Sequence, residues 1–278
     1  MQTKKLLHLA HSPDPDDAFM FWALAKGKID TGPYQFEHIL SDIQTLNEKA
    51  KQGVYEISAI SFYAYPQVCD RYALMACGSS MGDNYGPMVV SKQERKGRAL
   101  SEFTIAIPGK LTTAFLALQL YEPHLKTVVI PFDQIIEAVA EGRVDAGLII
   151  HEGQLTYEKS GLHSWIDLGQ WWFEKHRLPL PLGGNVIRRD LGAKTMSEVA
   201  KILKESIRLS LENRPEAVKY ALQFGRGLDL SLADQFIGMY VNSLTLDYGD
   251  RGKQALKTLF SEAQKARLLP SITLDFIE

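Results

Sequence analysis

Apolar positions in this chain follow two rhythms. Short runs such as "LLHLAHS" (6–12), "YQFEHIL" (34–40), "YEISAIS" (55–61), "FTIAIPG" (103–109), "TVVIPF" (127–132) and "DAGLII" (145–150) are apolar continuously or at alternate positions, which predicts strands. Between them lie segments with apolar residues three and four apart, which predict helices: "DDAFMFWALAKG" stopping at Gly27, "SDIQTLNEKAKQG" behind a Ser41–Gln44 capping box, "TTAFLALQLY" and "FDQIIEAVAEGR". A short helix is expected in "FYAYPQVCDRY", and further strands in "YALMACGSS", "GPMVVSK", "GLHSWIDL" and "LPLPLGGNVIRR". The remainder reads as helical. It opens with "TMSEVAKILKESIRLSLENR", where Val199, Ile202, Leu203, Ile207 and Leu211 form a stripe behind a Thr195–Glu198 capping box, and three more helices follow.

Strands joined by helices of about ten residues imply parallel sheets covered on both faces. Ligands of such sheets bind beyond the carboxyl ends of the strands. That draws attention to "DAGLIIHEG", where a buried strand runs into His151 and Glu152.

The 278 residues suffice for two modest domains. A net charge of −2 and the absence of a basic face argue against nucleic-acid binding. No apolar stretch approaches the ~18 residues that span a membrane, and His8, His11 and three acids interrupt what would otherwise be a signal segment. Cys69 and Cys77 lack zinc-ligand spacing and suit a reducing compartment, so a cytoplasmic location is expected.

Four stretches could carry chemistry. His151 can serve as a base at neutral pH or simply hydrogen-bond a neighbouring loop; Glu152, adjacent on an extended chain, is expected to face the other way. An HExxH zinc site is excluded because position 155 is leucine. In "PGKLTTAF", Thr112 and Thr113 open a helix whose free N–H groups can cradle an anion, or Thr112 and Thr113 act only as caps. In "HSPDPDDAF", Asp14, Asp16 and Asp17 suit a helix N-terminus or a hard cation. "GSSMG" matches GxSxG but continues into a strand instead of a helix, which rules out a nucleophile elbow. Phe19, Phe21, Trp22, Trp171 and Trp172 read as core.

Taken in order, "SPDPDDAF", "ISFYAY", "DRYALMACGSSMGDNYGPMVVS", "PGKLTTAF", "AGLIIHEGQLTY", "DLGQWW", "LPLPLG" and "YVNSLTLDYG" resemble the 1,4-dihydroxy-6-naphthoate synthases of the futalosine route to menaquinone, over nearly the whole chain. The resemblance implies an α/β, two-lobed periplasmic-binding-protein type II-like fold with a ligand cleft between lobes. The first lobe would span residues 1–92 completed by 186–278, and the second 93–185. It implies conversion of cyclic dehypoxanthinylfutalosine to 1,4-dihydroxy-6-naphthoate with release of dihydroxyacetone, a lyase reaction. His151 would be the base, and Thr112 and Thr113 would hold an anionic group of a small-molecule carboxylate substrate. Ser61, Gly86, Ser12 and Asp17 would line the same site. No metal or organic cofactor is implied, and the oligomeric state is left open.

Many members read "SPCPNDTF" where this chain has "SPDPDDAF", so Ser12 and Asp17 are kept while Asp14 and Asp16 add carboxylates. Near an anionic substrate these must be paired or turned away. Two other readings share the fold: a binding protein that only captures a small organic anion, and a related pathway enzyme such as a chorismate dehydratase. The "GLIIHE" histidine favours the synthase.

Overall fold

The computed structural model describes residues 4–94 and 98–278. Twelve strands follow in chain order: β1 (Lys5–His11), β2 (Tyr34–Leu40), β3 (Ile57–Ser61), β4 (Tyr72–Met75), β5 (Ser80–Gly82), β6 (Met88–Ser91), β7 (Thr104–Ile107), β8 (Lys126–Val129), β9 (Ala146–Ile149), β10 (His163–Asp167), β11 (Leu180–Arg188) and β12 (Phe276–Ile277). The helices are α1 (Pro15–Met20), α2 (Trp22–Ala25), α3 (Ile43–Lys51), α4 (Thr113–Tyr121), α5 (Ile135–Ala140), α6 (Leu168–His176), α7 (Ala193–Glu212), α8 (Arg214–Ala221), α9 (Leu230–Tyr240), α10 (Ser243–Leu246) and α11 (Gly249–Lys265).

The chain divides into two compact units, one of residues 1–80, 183–253 and 272–278, the other of 81–182 and 254–271. These bounds differ from those expected at 92 and 186. Residues 81–92 join the second unit because β6 hydrogen-bonds β9 and β10 there. Residues 254–271 join it too, which the helical periodicity of the C-terminal part gave no means to foresee.

The first unit is built on a seven-stranded sheet of order β12-β4-β11-β3-β1-β2, with β5 paired to β11 off this path. Its β1 alternates between two cores. Leu7 and Leu9 pack with Phe19 and Met20 of α1, Trp22 of α2, and Leu203 and Ile207 of α7. Ala10 faces the opposite side, against Leu46 of α3. Both faces are therefore covered, and each buried Leu or Phe contributes about 2 kcal/mol through its removal from water. The second unit holds a five-stranded sheet of order β10-β6-β9-β7-β8. There α5 lies so close to β9 that a β-carbon on Gly147 would sit 2.4 Å from Ile135.

Both sheets are mixed, where parallel ones were expected. Strands joined through helices (β1, β2 and β3; β7, β8 and β9) are parallel as the pattern required. β6, β10 and β11 run against their neighbours. Local starts also shifted. Asp42, not Ser41, caps α3 through the Thr45 N–H. α7 begins at Ala193 behind Gly192, so Thr195 lies inside the helix and caps nothing. The helix expected over residues 16–27 breaks at Phe21 into α1 and α2.

No helix among the described residues is long and apolar enough to cross a membrane.

Candidate active site

In the first unit, Ser12 follows β1 directly. Its N–H donates to Asp17 Oδ2 at 2.7 Å and its hydroxyl to Asp14 Oδ2 at 2.9 Å. Asp14 is also met by Arg226, whose Nη2 lies 2.9 Å from Oδ1. The extra carboxylate at position 14 is thus paired with a guanidinium, which answers the charge problem posed by the sequence. Burial pushes the Asp17 carboxyl up to about 6, against the Ser12 N–H that favours its anion, and the charge of Asp14 adds to the rise. Asp16 is pushed up as well, by burial first and then by Asp17 and Asp14. Both shifts favour keeping a proton on this loop and so reduce its negative charge.

The Asp14–Arg226 pair is partly exposed, so its worth is modest. In a double-mutant cycle of Asp14→Ala and Arg226→Ala, thermal unfolding should return a coupling of about 1 kcal/mol. Strict additivity would mean that the contact is electrostatically idle.

Ser61 ends β3, next to β1 in the sheet. Its N–H donates to Asn47 Oδ1 at 2.8 Å, and Asn47 Nδ2 donates to its hydroxyl oxygen at 3.0 Å. Ser61 therefore spends a lone pair on this bond and not its proton. Asn47 is fully buried and was missed at the level of sequence. Its placement between Leu46 and Ala50 on the buried stripe of α3 was the available signal.

In the second unit, four expected residues share one end of the sheet. Thr112 and Thr113 follow β7, and His151 follows β9, its parallel neighbour. Gly86 precedes β6, whose Met88 pairs with Ile149 at the same end. Thr112 caps α4: its Oγ1 accepts the Phe115 N–H at 3.3 Å and its hydroxyl donates to the Gly109 carbonyl at 2.9 Å. Thr113 is the buried first residue of that helix. Gly86 is pressed against α6, where its missing β-carbon would lie 3.0 Å from the Gly169 backbone. Its N–H helps hold Asp167, which caps α6 through the N–H groups of Gly169 and Gln170. Burial nevertheless pushes the Asp167 carboxyl up to about 6.

His151 is buried at 8% exposure, but among polar groups. Its Nε2 lies 3.0 Å from the Phe132 carbonyl, and its Nδ1 accepts the Gly153 N–H at 3.0 Å. The Phe132 ring packs edge-on to the imidazole, 5.5 Å between centroids. Glu152 corrects the sequence reading. The backbone turns into a 3-10 segment, Glu152–Leu155, directly after His151, and this bend buries Glu152 with its carboxylate 3.7 Å from His151 Nδ1. An imidazole and a carboxylate side by side at a strand end are a combination suited to proton abstraction.

A model of a family described as menaquinone biosynthesis matches residues 7–265. The chain belongs to that menaquinone-biosynthesis family. Within it, the chain is similar to a 1,4-dihydroxy-6-naphthoate synthase of Thermus thermophilus, 38% identical over 258 residues, covering 93% of this chain and 94% of the relative. A second synthase of that name, from Streptomyces coelicolor, is 34% identical over 278 residues, with 97% and 96% covered. Among solved structures, a protein of Archaeoglobus fulgidus superposes with a TM-score of 0.91 at 46% identity, covering 95% of this chain and 98% of that one. The ligand-binding component of an ABC import system from Staphylococcus aureus gives 0.72 at 15% identity, over 99% and 97%. This menaquinone-biosynthesis protein therefore has the periplasmic-binding-protein-like α/β fold. It is similar over nearly its full length to enzymes named as naphthoate synthases.

Proposed function

We propose that this protein is a cytoplasmic lyase of the futalosine route, converting cyclic dehypoxanthinylfutalosine to 1,4-dihydroxy-6-naphthoate and releasing dihydroxyacetone. His151 is the general base. Thr112 and Thr113, at the start of α4, receive an anionic group of the substrate, and Gly86 of the same unit belongs to its surroundings. Loss of one proton lets the substrate cleave a C–C bond while its ring becomes aromatic, so one well-placed base and exclusion of water suffice. The observation that carries the reading is His151, a polar-bonded imidazole just past β9, the parallel neighbour of the strand β7 that leads to α4.

Purified protein incubated with cyclic dehypoxanthinylfutalosine should yield naphthoate and dihydroxyacetone in equal amounts. Tight binding of that compound without turnover would instead make the protein a capture protein of the same fold. Neither binding nor turnover would move it to another substrate.

A further inference from the structure

Two helix ends in the first unit bring three lysines around one hollow. α2 stops at a left-handed glycine, Gly27 (φ +62°). The turn is closed by the Gly27 N–H on the Leu24 carbonyl at 3.0 Å and the Lys28 N–H on the Ala23 carbonyl at 2.8 Å. Lys26 and Lys28 flank that glycine. The Lys26 Nζ lies 4.8 Å from the centre of the Tyr220 ring on α8, and the Lys28 Nζ 4.9 Å from the Trp22 ring. Lys219, in the last turn of α8, lines the same hollow, as does Gln223 just beyond it. Its volume of about 430 Å³ suits a small organic molecule.

Among the described residues that line it, Glu216 alone carries a carboxylate. It meets Lys28 at 3.5 Å with both side chains exposed, so the pair is weak. Three ammonium groups against one carboxylate leave two surplus positive charges, in a chain whose net charge is −2. The ring faces attract the Lys26 and Lys28 heads and hold their stems, so less side-chain freedom is lost when an anion arrives. Each ammonium has three donors, and a ring face leaves some of them for a ligand. Burial raises the Tyr220 hydroxyl above its ordinary range, so it stays neutral and adds no opposing charge. We propose that this hollow binds a soluble phosphate monoester, separately from the groups assigned to the naphthoate reaction. A phosphate monoester carries a charge near −2 and three acceptor oxygens, which matches the surplus charge and the separate lysines. The volume exceeds that of a bare ion, and the Trp22 and Tyr220 rings offer apolar wall to the organic part.

The test titrates the full chain with adenosine monophosphate, glycerol 3-phosphate, inorganic phosphate and acetate. It follows the Trp22 indole N–H by NMR, the signal being identified by its loss in Trp22→Phe. Both esters should move that signal saturably and bind about tenfold more tightly than acetate. Lys26→Ala and Lys219→Ala should each weaken the esters about tenfold, and added salt should weaken them further. Glu216→Gln should tighten them about threefold, a gain that damage to the fold would not produce. An unmoved Trp22 signal overturns the proposal, as does ester binding of equal strength in the Lys26→Ala/Lys219→Ala variant. Inorganic phosphate binding as tightly as the esters overturns the ester assignment. Capture by phosphatidylglycerol vesicles without response to the soluble esters would make the hollow a lipid contact and overturns it too.

Discussion

Replacing His151 by alanine should lower kcat about a thousandfold while substrate affinity stays within tenfold, about 1.4 kcal/mol. The asymmetry follows from the role. A general base acts in the transition state, whereas the proposed reading assigns ground-state binding to the groups around Thr112 and Thr113. The substitution also removes two hydrogen bonds, to Phe132 and from Gly153, and with them the cap on the Glu152–Leu155 turn. A stability loss of about 1 kcal/mol is expected on that account. Circular dichroism and thermal unfolding separate this from the catalytic loss. Single-turnover kinetics with calorimetric binding give the rest. A folded variant with wild-type kcat would remove His151 from the chemistry.

Gly169→Ala should destabilise the protein by about 3 kcal/mol, the upper range for one substitution. The added carbon would sit 1.9 Å from the Tyr85 carbonyl oxygen and 2.5 Å from the Gly86 nitrogen. These are backbone atoms, so no flexible side chain can yield, and the first turn of α6 must move away from the 82–86 loop. That movement also disturbs Asp167, whose carboxylate ties the loop and the helix together. Gly161→Ala is the contrast. Gly161 has φ +70° but no atom within 4 Å of an added carbon, so only a backbone conformational cost of about 1 kcal/mol applies. Melting temperatures of the two variants should differ by several degrees. Equal melting temperatures would show that the close approach at Gly169 is relaxed without cost.

Much of the fold was legible because burial leaves period-2 and period-3.6 traces. "ISAIS" reads as a strand because all five of its residues are buried. The stripe of α7 reads as a helix because Val199, Leu203 and Ile207 face the core while Lys201 does not. What could not be read was strand direction and long-range pairing. Neither leaves a local trace, so β11 looked like any apolar run although it runs antiparallel to β3 and β4. In the candidate site, His151 and the two threonines stood out by residue type and position. Glu152 was misplaced because an extended chain was assumed where the backbone turns. Asn47 and Arg226 were missed because their partners lie 14 and 212 residues away in sequence.

The position of β11 has a consequence for biogenesis. β3 and β4 are separated by only ten residues in sequence, yet they do not pair; each waits for β11, more than a hundred residues downstream. During synthesis β3 therefore emerges from the ribosome with one open hydrogen-bonding edge and β4 with two; the edges that face β11 stay bare until residue 188 has been made, and the other edge of β4 until β12. Slow translation or chaperone depletion should trap this protein as aggregates joined through those edges.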